Sequence, residues 1–126
     1  RIDLWVEVSK IEHGKLTDSR DLHEKTENII PRVEKARKLQ TDRYKDIKIK
    51  TNAELSAKDL ITNIKLSEKV KELLNASAKQ LDLSARSYHR IIKLARTIAD
   101  LDGVEDIGEN HILEALQYRP KKYQTL

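Results

Sequence analysis

Arg86, His89, Arg90, Lys93 and Arg96 are the residues whose types and spacing come closest to a chemical surface. At about 100° per helical residue they fall within an arc of about 120°. The next acids in the chain are Asp100 and Asp102. Cations gathered on one helix face suit a polyanion, and they equally suit an ordinary solvated face. Arg86 is set apart by its position, the second residue after Ser84, a good N-cap. A guanidinium beside the unpaired N–H groups of a helix N-terminus is an arrangement that fits a phosphate.

A second basic run extends from Arg32 to Lys50, with eight cations against three acids. Arg32, Lys35, Arg37, Lys38 and Arg43 lead it. Such a run can contact nucleic-acid phosphates, and it too has a bland reading as solvated surface. No Gly-rich loop ending in Lys-Ser or Lys-Thr occurs, nor an apolar strand ending in paired acids, so nucleotide hydrolysis cannot be complete within these residues. The four histidines, His13, His23, His89 and His111, lack paired metal-ligand spacing, and no metal site is expected. His111 reads as a packing or capping residue.

The elements that must position these groups are mostly helices. Thr26 is available as an N-cap for a helix over about 27–45 carrying Ile29, Val33, Ala36, Leu39 and Tyr44, which Pro31 should delay or kink. Ser56 can cap a short helix with Leu60 and Ile61. Ser67 caps a helix striped by Val70, Leu73, Leu74, Ser77, Ala78 and Leu81. After Ser84, the residues Tyr88, Ile91, Ile92, Ala95, Ile98 and Ala99 form the apolar face of the best-patterned helix, and Gly103 supplies its stop. A last helix follows Gly108, with Ile107 and Ile112 placed as a hydrophobic staple, and ends at Arg119-Pro120.

Residues 1–8 alternate instead, with Ile2, Leu4, Val6 and Val8 on one side. This is the period of a half-buried strand, and a lone strand cannot pair its own backbone, so it reads as the remnant of a sheet. The organisation expected is a remnant strand over 1–8, a linker or loop over 9–25, a helical domain over 26–119 and a flexible tail over 120–126.

Composition agrees with a mainly α fold. Hydrophobic residues make up 38% of the 126, there are 3 Gly and 2 Pro, Phe and Met are absent, and the core must come from Leu, Ile, Val and Ala. A formal net charge of +4 permits a polyanionic partner without requiring one. The absence of cysteine excludes a disulfide scaffold or a thiolate nucleophile, and no apolar run approaches the ~20 residues that span a bilayer. A cytoplasmic protein without membrane contact is expected.

The stretch from Leu83-Ser84-Ala85-Arg86-Ser87-Tyr88-His89-Arg90 through Thr97-Ile98-Ala99-Asp100-Leu101 resembles the signature of magnesium-chelatase-related AAA+ proteins, the ComM/YifB group. The same group is resembled by Arg1-Ile2-Asp3-Leu4 with Val6-Glu7-Val8, by Arg32-Val33-Glu34-Lys35-Ala36-Arg37, by Asn52-Ala53-Glu54-Leu55-Ser56, and by His111 to Arg119 ending in Glu114-Ala115-Leu116-Gln117-Tyr118-Arg119. Pro31 and residues 61–65 depart from it.

The resemblance implies a helical-bundle lid of four to five helices, preceded by one orphan strand from an ATPase core that lies outside these residues. It implies ATP with magnesium as the ligand of a full-length parent, with Arg86 as its sensor-2 arginine and Arg1 as an arginine finger acting on a neighbouring subunit. The implied partners are the AAA+ core of the same chain, the neighbours of a hexameric ring, and, through the DNA-acting members of the group, DNA. The alternative to the lid is a basic helical module that binds nucleic acid. The residues here, taken alone, are not expected to turn over ATP.

Overall fold

In a computed structural model of the chain, the described residues are 2–10, 12–16 and 23–120. The order of elements is α1 (His13–Leu16), α2 (Thr26–Arg43), a 3-10 turn (Asn52–Glu54), α3 (Ala57–Asn63), α4 (Glu68–Leu81), α5 (Ala85–Leu101) and α6 (Glu109–Gln117). The fold is mainly α, with five helices of 7 to 18 residues following the single turn α1. No strand occurs among the described residues. Residues 2–10 run without helix, and Trp5 N–H donates to the Tyr118 carbonyl at 2.8 Å.

Three serines begin three helices by the same device. The Oγ atoms of Ser56, Ser67 and Ser84 accept from the backbone N–H of Asp59, Val70 and Ser87, each satisfying a donor that the first turn leaves unpaired. Two ends are equally local. α4 closes on Asp82 in the left-handed region (φ 52), with Leu83 N–H donating to Ala78 O, and α5 closes on Gly103 (φ 73), with Val104 N–H donating to Ala99 O. A glycine meets the second requirement without strain.

α2 departs from its expected start. Its N-cap is Lys25, which makes no side-chain cap bond, and Thr26 is the first helical residue. Pro31 sits inside the helix and does not delay it. The buried residues of α2 are Ala36 and Gln40, followed by Tyr44 just beyond its end, whereas Ile29, Val33 and Leu39 are exposed. In α3, Leu60 turns inward and Ile61 is 75% exposed.

α5 is the centre of the bundle. Its Ile91, Ile92, Ala95 and Ala99 pack with Leu74 of α4, Ile107, and Ile112, Ala115 and Leu116 of α6, while Leu55, Leu60, Ile64 and Tyr44 close the other side. Ile107 and Ile112 are both buried, as a staple across the start of α6 requires. His111 completes that start, since its Nδ1 accepts from Gly108 N–H at 2.8 Å. An accepting Nδ1 leaves the ring proton on Nε2, which faces Asp102 Oδ2 at 3.1 Å.

Candidate functional site

The face of α5 turned away from the core lines an open cleft of about 710 Å³. Arg86, His89, Arg90 and Lys93 form one wall, Ala53 and Ala57 the floor of the 3-10 turn and α3, and Asp3 and Leu4 the rim contributed by the N-terminal segment. Arg86 lies in the first turn of α5, where the Ser84 cap occupies the Ser87 N–H, and it is exposed. Among the described residues it makes no ion pair. Its neighbours are more engaged. Arg90 Nε pairs with Asp3 Oδ1 at 3.1 Å, Arg90 donates to Ile2 O at 3.2 Å, and Lys93 Nζ reaches Ala53 O at 3.4 Å. Among the described residues that line the cleft, Asp3 is the single carboxylate.

Arg96 does not belong to this face. It is 6% exposed, donates to Glu105 O at 2.6 Å and Val104 O at 3.0 Å, and pairs with Asp100 Oδ1 at 3.1 Å. A helical wheel places it near Arg86, but the chain that turns back at Gly103 covers the last two turns of α5 and converts that angle into interior. Burial pushes the Arg96 guanidinium below the usual arginine range, with Asp100 opposing the shift.

Arg43 also turns inward. It grips Asp100 with two bonds, NH1 to Oδ2 at 3.0 Å and NH2 to Oδ1 at 2.6 Å, and its NH1 reaches Asn52 Oδ1 at 3.3 Å. The hydrogen bond to Asp100 holds the Arg43 guanidinium above its ordinary range. The Asp100 carboxylate is therefore shared by two arginines and by Asn52 Nδ2 at 3.0 Å, while Tyr44 donates to Asn52 Oδ1 at 2.5 Å and Gln40 accepts from Asn52 N–H at 3.0 Å. Gln40, Asn52, Arg96 and Asp100 are all buried, and this network joins α2, the 3-10 turn and α5. Burial of the Tyr44 phenol raises its pKa.

The other basic residues of α2 divide. Arg32 pairs with Glu24 at 2.7 Å on the surface, and Lys35, Arg37 and Lys38 are exposed. Arg43 is committed to Asp100 and does not share a surface with them. Arg1 lies outside the described residues. Among the described residues no group of three or more His, Asp or Glu side chains could hold a metal ion, and no helix is long and apolar enough to cross a membrane.

The chain is a helical bundle whose central helix presents Arg86, His89, Arg90 and Lys93 to an open cleft. Residues 23–119 match the family described as magnesium chelatase, subunit ChlI C-terminal, and the chain belongs to that family. Over 119 residues, 94% of the chain, it is 39% identical to the competence protein ComM of Haemophilus influenzae, of which the match covers 23%. The same span is 33% identical to the protein YifB of Escherichia coli strain K12 and 31% identical to YifB of Salmonella typhimurium, again over 23% of each. The chain thus spans about a quarter of the length of the curated relatives it matches. It is the C-terminal domain of a ComM/YifB-like, magnesium-chelatase-related protein.

Proposed function

We propose that this domain is the lid of an AAA+ ATPase and that Arg86 is its sensor-2 arginine, contacting the phosphates of ATP held by a core domain of the full-length protein. One observation carries the reading: Arg86 is a cation without an ion-pair partner among the described residues, held at a serine-capped helix start inside a cleft that His89, Arg90 and Lys93 also line. The residues fit the anionic part of the ligand. Arg86 can donate two parallel hydrogen bonds to a phosphate, and the adjacent helix terminus adds favourable potential. They do not fit the metal, which the core would have to hold.

Bound ATP supplies the phosphoryl group, and the contribution of this chain is to bind and orient it. A lid whose position depends on a charge contact with the terminal phosphate differs in free energy between the ATP and ADP states, and that difference can move neighbouring subunits in a ring. Arg1 as an arginine finger and a hexameric assembly belong to the same proposal. The test is nucleotide binding by the full-length protein with Arg86→Ala. Weaker ATP binding with ADP affinity nearly retained supports a terminal-phosphate contact, and unchanged affinity for both nucleotides refutes it. Salt-dependent duplex-DNA binding that survives Arg86→Ala and is lost on removing Lys35, Arg37 and Lys38 together would instead favour a nucleic-acid module.

A further inference from the structure

We propose that Arg90 is a positioning residue that ties residues 2–10 to α5, so that the segment and the helix bearing Arg86 move as one body. The segment leads toward Arg1, and in the lid reading it is where the ATPase core would join this domain. The proposal rests on that reading for its functional consequence and on geometry alone for the tie.

Two points of attachment stand out among the described residues. At the first, Arg90 holds the Asp3 carboxylate through Nε at 3.1 Å and the Ile2 carbonyl through NH1 at 3.2 Å. At the second, Trp5 N–H donates to Tyr118 O, just past the end of α6, at 2.8 Å. Both fall on the α5–α6 pair, the most central packing in the bundle, and not on the more exposed N-terminal half of α2. Arg90 and Asp3 line the cleft of Arg86 and also a second cleft of about 650 Å³ bordered by Leu83, Ser84 and Arg119, so the pair forms part of the partition between the two. Arg90 lies four residues after Arg86, one turn along the same face.

The contact is built to hold position, since apolar packing does little to hold the segment. Ile2, Leu4, Trp5, Val6 and Val8 are between 47% and 82% exposed, so apolar burial contributes little to docking. An arginine gripping a carboxylate and a backbone carbonyl together fixes direction as well as distance. Loss of Arg90 should therefore release the segment while leaving the bundle folded, because the Arg90 side chain has no part in the core. Releasing the segment would uncouple any movement of Arg86 from the chain that enters the domain.

Trp5 is the single tryptophan of the chain and reports the docking directly. In the 126-residue chain, Arg90→Ala and Asp3→Asn should each shift the Trp5 emission toward that of the urea-unfolded chain. They should also speed exchange of the Trp5 amide about tenfold, the order expected for one exposed pair and a charge-assisted hydrogen bond. Far-UV dichroism should not change. The exchanged pair, Asp3→Arg with Arg90→Asp, should restore part of the Trp5 protection, which a merely structural role for either residue would not do. Wild-type emission and exchange in both single variants overturns the tie.

In the full-length protein, Arg90→Ala should lower kcat for ATP with less effect on KM, and should add little to Arg86→Ala. Full additivity of the two overturns the coupling even if the tie stands. Failure of Arg86→Ala to affect ATP turnover would remove the lid reading and leave the Trp5 result untouched.

Discussion

Replacing Asp100 by asparagine should be the most damaging isosteric change in the chain, and its size follows from what the carboxylate holds. The side chain is fully buried and accepts two bonds from Arg43, one from Asn52 and an ion pair from Arg96. Asparagine keeps the shape, removes the charge, and turns an NH2 toward groups that are themselves donors. Breaking a buried pair by removing one partner costs about 3–5 kcal/mol. Arg43 is 23% exposed along its side chain and can recover some hydration, whereas Arg96 is 7% exposed and cannot. The lower end, about 3 kcal/mol, is therefore expected. For a domain of this size that is a large share of a stability of about 5–15 kcal/mol, and it corresponds to a fall in Tm of roughly 10–15 °C.

Urea unfolding followed by far-UV dichroism measures it, with an unchanged slope showing that the denatured state is not altered. Glu24→Gln, which removes the exposed partner of Arg32, is the control and should change stability by less than about 0.5 kcal/mol. A loss below about 1 kcal/mol for Asp100→Asn would refute the reasoning, because it would mean that the backbone carbonyls of Val104 and Glu105 suffice to hold Arg96.

Ser84→Ala should destabilise the chain by about 1 kcal/mol by exposing the Ser87 N–H at the start of α5, read as a lower urea midpoint. Stability should also fall at alkaline pH through Tyr44. Burial raises its folded pKa above the unfolded value of about 10, so its contribution is complete below about pH 10 and is lost as pH rises through the folded value. Urea midpoints measured from pH 9 upward should show this slope in the wild type and a shallower one in Tyr44→Phe. Joint replacement of Asp100 by leucine and Arg96 by methionine should be less destabilising than Asp100→Leu alone, since only Arg43, the more exposed of the two arginines, is then left without its acid, and a double-mutant cycle reads the difference.

The parts of this fold that the sequence announces are those set within one or two turns of chain. Ser56, Ser67 and Ser84 as caps, Gly103 as a stop and the Ile107/Ile112 staple each depend on residues at most five apart. Arg86 is legible for the same reason, since its position after the Ser84 cap is a local property. What periodicity could not reveal is polar burial. Asp100 meets Arg43 across 57 residues and Asn52 across 48, and no apolar pattern marks Gln40 or Asn52 as interior. A wheel for α5 assigns Arg96 to solvent because it contains no information about the loop that folds over it. In α2 Ile29, Val33 and Ala36 fall within about 60° of one another on a helical wheel, so the pattern marks the face that turns inward at Ala36 but not that the first half of the helix is exposed. The contact of Arg90 with Ile2 and Asp3, the first of them across 88 residues, leaves no local trace at all.

In the proposed lid, Arg86 reads the phosphates of a nucleotide held by the rest of the protein. Steady-state ATP hydrolysis by the full-length protein with Arg86→Ala tests it most directly. Losing a charged donor to a phosphate should lower kcat/KM by about 10–100-fold, with the fold of the domain unchanged by dichroism. Turnover equal to that of the wild type, in a variant that remains folded, would contradict the account.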